Sequence, residues 1–158
     1  MTTEYNSDSK KMSNQTGPHL KAAVFCGDVI EGKDGVLSLI RVIDRLVITA
    51  GGAQIPAEMP PVPQVLKLVV MLVSGRAKGT HDLELRIEKP DGTSLSGWQN
   101  TVFFEGEDRG ANLIAEIPMK FENEGLYWFD LLLDGTLLTR LPFRVIYQRV
   151  GPATLPPR

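Results

Sequence analysis

The chain has 158 residues, of which 42% are hydrophobic and 23% charged, so it fits one domain with a core that needs neither disulfide nor metal to hold it. Its net charge is −2 and its pI about 5.7, with acidic and basic residues interspersed, so no basic field gathers phosphates and nucleic acid is not expected as a partner. The single cysteine, Cys26, leaves no internal disulfide, the opening MTTEYNSDSKKMSNQTG has no apolar signal core, and no apolar run approaches the ~18 residues of a membrane span. A cytoplasmic protein away from membranes is the expectation.

Residues 1–18 read as a disordered polar tail, since they bury too little to offset the entropy of ordering. A β-sandwich domain is expected over 19–147. Its first strand is Leu20–Gly27, followed by the carboxylate-bearing loop Asp28–Gly35. Val36–Ile48 is ambiguous: Leu39, Val42, Ile43, Leu46 and Val47 fall at helical spacing, yet the β-branched content and the lack of an N-cap favour a strand. Ala50–Pro63 is then a Pro-rich connection long enough to lie across a sheet face. Gln64–Ser74 is a strand, apolar on both faces apart from Lys67, and Ser74–Gly79 is a basic turn without a phosphate-loop pattern.

Asp82–Lys89 alternates strictly, with Leu83, Leu85 and Ile87 on one face and Glu84, Arg86 and Glu88 on the other, before the turn Pro90-Asp91-Gly92. Ser96–Asn100, which contains Trp98, has turn-like composition, and Thr101–Glu105 reads as a short strand before the acidic loop Glu105–Gly110. Ala111–Phe121 places Leu113, Ala115, Ile117, Met119 and Phe121 inward, and its Pro118, lacking an N–H, indicates an edge. Gly125–Leu133, Asp134-Gly135 and Thr136–Tyr147 form a hairpin signature, with Pro142 marking an edge or bulge. Residues 148–158, ending ATLPPR, are assigned to a disordered Pro-rich tail.

Gly125-Leu126-Tyr127-Trp128-Phe129 resembles the tyrosine corner of immunoglobulin-like domains, with Tyr127 bonding backbone across a strand connection and Phe129 plugging the core where a cysteine often stands. The fold class is therefore an all-β, immunoglobulin-like antiparallel sandwich of about eight strands. More broadly, Ala22–Asp28, Leu37–Arg45, Gly125–Asp130 and Leu133–Val145 resemble an uncharacterised bacterial family of small β-sandwich proteins. That resemblance implies a bacterial source and a sandwich, and brings no active site with it.

No catalytic, cofactor or metal signature is complete. Cys26, ending an apolar strand, reads as a small buried hydrophobe; His81 reads as a solvated turn residue, and the two histidines and one cysteine match no zinc spacing. The acidic loops lack the regular spacing of a calcium loop. Asp44-Arg45 and Asp130, charges within apolar stretches, call for structural partners. Trp98, Tyr127 and Trp128 are the candidates for a sugar platform, but alternation sends Trp128 to the face opposite Tyr127.

The most informative pattern is apolar residues on both faces. Leu126, Trp128 and Leu132 line one side of their strand and Tyr127, Phe129, Leu131 and Leu133 the other, while Val69 and Met71 extend the surplus to Gln64–Ser74. Something must cover the second face. The expectation is a non-catalytic interaction or assembly module docking through Leu126, Trp128, Leu132, Val69 and Met71 onto itself or another protein, with Gly125, Tyr127 and Phe129 structural. A carbohydrate- or small-ligand-binding sandwich is the alternative.

Overall fold

The computed structural model describes residues 17–151. The tails expected at 1–18 and 148–158 therefore lie mostly outside the described residues, except that Gln148–Val150 are strand. Nine strands form among the described residues, in the order β1 (His19–Glu31), β2 (Leu37–Ile43), β3 (Arg45–Gly51), β4 (Val62–Val73), β5 (Gly79–Glu88), β6 (Ser94–Phe104), β7 (Gly110–Phe121), β8 (Gly125–Leu133) and β9 (Thr136–Val150). They make a four-stranded sheet, β2-β1-β4-β7, and a five-stranded sheet, β3-β9-β8-β5-β6.

Every neighbouring pair is antiparallel except β3 with β9, which run parallel from Arg45↔Arg144 to Gly51↔Val150. The β7 edge position agrees with its Pro118. Pro142 sits where β9 has β8 on one side only, because the pairing with β3 begins two residues later at Arg144.

Two expectations need correction. Val36–Ile48 is neither a helix nor one strand: it breaks at Asp44, so that β2 edges one sheet and β3 the other, which brings the count to nine strands. Ile43 and Leu46 both pack on the core although three positions apart, and a straight strand would send them to opposite faces. The kink resets the alternation, and the helical spacing in the sequence is its trace. Asp44 anchors the crossing, its carbonyl accepting the Arg144 N–H at 3.0 Å and its carboxylate the Arg45 Nε–H at 3.0 Å.

The second correction is Trp98, which lies within strand β6 rather than in a turn and packs against the core. The turn-like composition reflects a bulge: Leu85 faces Trp98 and Arg86 faces Ser96, leaving Gly97 as the extra residue. A side chain there would meet Leu85 O at 2.8 Å.

The core lies between the sheets. β4 contributes Leu66, Leu68, Val70 and Leu72, β7 Ala115, Ile117, Met119 and Phe121, and β5 and β8 the inward phases read from their alternation. Phe129, with no exposed surface, has Phe25 edge-on at 4.8 Å and Phe143 at 6.2 Å between ring centroids. The Tyr127 hydroxyl donates to Asn123 O at 2.8 Å across the connection between β7 and β8, the bond expected of it. Its desolvation by burial pushes the Tyr127 pKa up. The Pro-rich connection docks on the body: Met59 is buried in the core and Pro56 O accepts the Tyr147 hydroxyl at 3.0 Å.

Candidate functional site: two unlike outer faces

The five residues expected to form one docking surface fall on two sheets. Val69 and Met71 belong to β4, whereas Leu126, Trp128 and Leu132 belong to β8. The outward phase of the five-stranded sheet places Glu84, Arg86 and Glu88 beside Leu132, Asp130 and Trp128, with Arg140 across from Asp130. Arg140 donates from Nε to Asp130 at 2.9 Å and also pairs with Glu88, while its guanidinium lies 4.8 Å from the Trp128 ring centroid. Arg86 makes a two-toothed pair with Glu84 at 2.8 and 3.1 Å; this contact holds the Glu84 carboxyl below its ordinary range and the Arg86 guanidinium above its own. Trp128 is half-buried beneath its own chain's cation, Leu132 is buried and Leu126 half-buried. The cover on this side is internal, and the charge of Asp130 has the partner its position requires.

The four-stranded sheet differs. Across its outer face the register aligns Val24, Val69 and Ile114 in one row, Ala22, Met71 and Asn112 in the next, and Val42, Cys26, Lys67 and Glu116 in a third. Val69 at the centre is fully buried by its neighbours, while Ile114 is 43%, Ile40 39% and Val42 61% exposed. Lys67 reaches Asp28 Oδ1 at 2.8 Å, a hydrogen bond that raises the Lys67 pKa and lowers that of Asp28. Cys26, buried between Val42 and Lys67, has its thiol pKa raised by burial, so it is poorly nucleophilic. Sequence reasoning missed Ile114, Ile40 and Val42. Ile114 was findable, being the large aliphatic among Asn112, Glu116, Pro118 and Lys120 in the outward phase of β7.

The remaining chemistry-bearing groups are structural in their contacts. His81 is not a solvated turn residue: it lies in β5, its Nδ1 2.6 Å from Asp134 Oδ2 and its Nε2 3.2 Å from Lys78 O. The Asp134 bond raises the His81 pKa and lowers that of Asp134. Asp134, in the left-handed region at φ 48°, also accepts the Asp82 N–H at 2.9 Å, so the pair clamps the β8–β9 turn onto β5. In the acidic loops, Arg109 donates to Glu105 at 2.7 Å and Asp34 caps the Val36 N–H at 3.1 Å. Among the described residues no three His, Cys, Asp or Glu side chains converge on a point that would hold a metal ion. No helix among them is long and apolar enough to cross a membrane. Trp98 faces the core, Tyr127 is buried and Trp128 points outward, so the three share no platform.

These features define an all-β protein of two packed sheets, one outer face with ion pairs around Trp128 and the other with exposed aliphatic side chains beside the Lys67–Asp28 pair. Residues 21–146 match the model of a family of unknown function, DUF6941, and the chain belongs to that family. No curated protein matches it. Among solved structures, the Pseudomonas fluorescens alkylpurine DNA glycosylase AlkC bound to DNA containing an abasic site analog is similar at 13% identity, covering 63% of this chain and 27% of that one, with a TM-score of 0.35. A likeness that slight carries no argument about either fold or activity.

Proposed function

We propose that this protein is a non-catalytic interaction or assembly module of the bacterial cytoplasm, on an immunoglobulin-like sandwich, and that it self-associates through the outer face of its four-stranded sheet. The immunoglobulin-like reading is supported by the order β9-β8-β5 in one sheet facing β4-β7 in the other, and by the Tyr127 bond at the connection into β8. The bacterial source rests on the family resemblance of the sequence.

The observation that carries the docking surface is the outer face of the four-stranded sheet, where Ile114, Ile40 and Val42 stand exposed around a half-buried Val24 and a buried Val69, while the opposite sheet covers its own Trp128. Contiguous apolar surface of this kind marks an interaction site. A second copy suits it because the row Val24–Val69–Ile114 carries no charge to conflict with its own image about a two-fold axis, and Lys67 beside it is already paired with Asp28. Four strands about 4.8 Å apart, over about six residues of ~3.4 Å rise, give a footprint of roughly 400 Å² per copy. Two such footprints total about 800 Å², below the ~1,200 Å² at which stable specific interfaces begin, so the association is weak and reversible. Sedimentation velocity over a wide concentration range tests it: the sedimentation coefficient rises with concentration toward that of a dimer, and a constant monomer value sinks the proposal.

A further inference from the structure

We propose that the free edge of β6, over Gln99–Phe104, binds an uncharged extended peptide of a partner protein as an added strand of the five-stranded sheet. Among the described residues the two sheets present four edges, β2, β7, β3 and β6. Natural sheets guard such edges with short strands, charges, proline or kinks. β2 has seven residues and a left-handed Arg41 at φ 54°, β3 has seven and begins with Arg45, and β7 carries Glu116, Pro118 and Lys120. β6, SLSGWQNTVFF, runs eleven residues with no charge and no proline. Its Gly97 bulge bends the first part alone and leaves Trp98–Phe104 regular.

The backbone states what kind of occupant fits. Asp82 N–H donates to Asp134 Oδ1 and Asp82 O accepts from Asp134 N–H, so both point away from β6. Thr101 lies opposite Asp82 in a non-hydrogen-bonded pair, and alternation then turns the N–H and C=O groups of Gln99, Thr101 and Phe103 to the open edge. The Thr101 N–H is met there by Asn100 Oδ1 at 2.8 Å, a local substitute for the carbonyl a neighbouring strand supplies. Beside this edge, a groove of about 410 Å³ separates Thr101–Glu105 from Arg109–Leu113 at the start of β7. Phe103, 64% exposed, stands on its rim, and the charges at its mouth, Glu105 and Arg109, neutralise one another. A row of alternating donors and acceptors with an aromatic rim and no charged side chain on the strand itself fits an uncharged extended segment of β-branched and hydroxyl residues, the mode of strand addition.

The probe is the capped hexapeptide Thr-Val-Thr-Val-Thr-Val, titrated into the full-length ¹⁵N-labelled protein. Saturable shifts and slowed exchange are expected at the amides of Gln99, Thr101 and Phe103, while those of Asn100 and Val102, already in the ladder with β5, keep their protection. Thr101→Pro removes an edge donor without touching that ladder, and Thr101→Lys adds a guarding charge while leaving the backbone intact. Each folded variant is expected to bind about tenfold or more weakly, ~1.4 kcal/mol. The proposal is overturned if the hexapeptide does not saturate the wild type, if the shifts fall on another edge, or if the folded lysine variant binds as tightly. Protection of the same three amides that grows with protein concentration in the absence of peptide would also overturn it, by assigning the edge to a second copy.

Discussion

Phe129 is the residue on which the inward phase of the five-stranded sheet depends, and its truncation to alanine has a cost that can be worked from its surroundings. The ring is completely buried, with Phe25 and Phe143 edge-on to it. Phe143 is itself stacked on Phe121 at 5.8 Å, so the neighbours cannot collapse into the void without breaking a second contact. Phenylalanine-to-alanine changes in such cores cost about 3–5 kcal/mol, and the absence of relaxation puts Phe129→Ala toward the upper end, ~4 kcal/mol. With a urea dependence of about 2 kcal/mol per molar, the midpoint falls by about 2 M. Tyr127→Phe is the internal control. It keeps the volume and loses the hydroxyl bond to Asn123 O, worth about 0.5–1.5 kcal/mol, so its midpoint falls by well under 1 M. Two-state urea titrations followed by far-ultraviolet circular dichroism read both. Equal and negligible shifts would refute the assignment of Phe129 to the interior and, with it, the outward phase of Trp128.

The His81–Asp134 clamp should make stability pH-dependent. The raised His81 pKa means its contribution is whole below its unfolded value of 6.5 and is lost as pH climbs through the folded value, while Asp134 contributes above 3.8 and loses its share as pH falls through its own depressed value. The stability gap between wild type and His81→Asn is therefore largest between those two values and shrinks as pH rises through the raised His81 value, as thermal denaturation across a pH series would record. Gly97→Ala forces a Cβ to 2.8 Å from Leu85 O and is expected to lower stability by more than ~1 kcal/mol in urea titration. Arg140→Ala uncovers Trp128 and is expected to shift tryptophan emission to the red, an effect that a purely electrostatic role for Arg140 would not produce.

Much of the architecture was legible because it is written in local alternation. Asp82–Lys89, Ala111–Phe121 and Gly125–Leu133 each declared which residues face inward, and the Tyr127 corner and the Pro118 edge followed from single residues. What alternation cannot carry is the identity of the sheet. Val69 and Trp128 are both outward by phase, and only the long-range pairing of β4 with β1 and β7, and of β8 with β5 and β9, sets them on opposite sides of the molecule. The kink at Asp44 was hidden because neither glycine nor proline marks it. The cover over Trp128 was closer to reach: counting outward from Asp134-Gly135 brings Arg140 opposite Asp130 and diagonal to Trp128, provided the bulge at Leu131/Leu132 is known.

Light-scattering masses of two matched variants against wild type probe the docking face most directly. Ile114→Glu puts a charge in the aliphatic row of the four-stranded sheet, and Leu137→Glu puts the same charge on the other sheet, at a residue that is also exposed. At concentrations where the wild type is partly dimeric, Ile114→Glu is expected to weigh as a monomer and Leu137→Glu to match the wild type. A dimer that survives Ile114→Glu, or one that Leu137→Glu dissolves, would contradict the assignment of the interface.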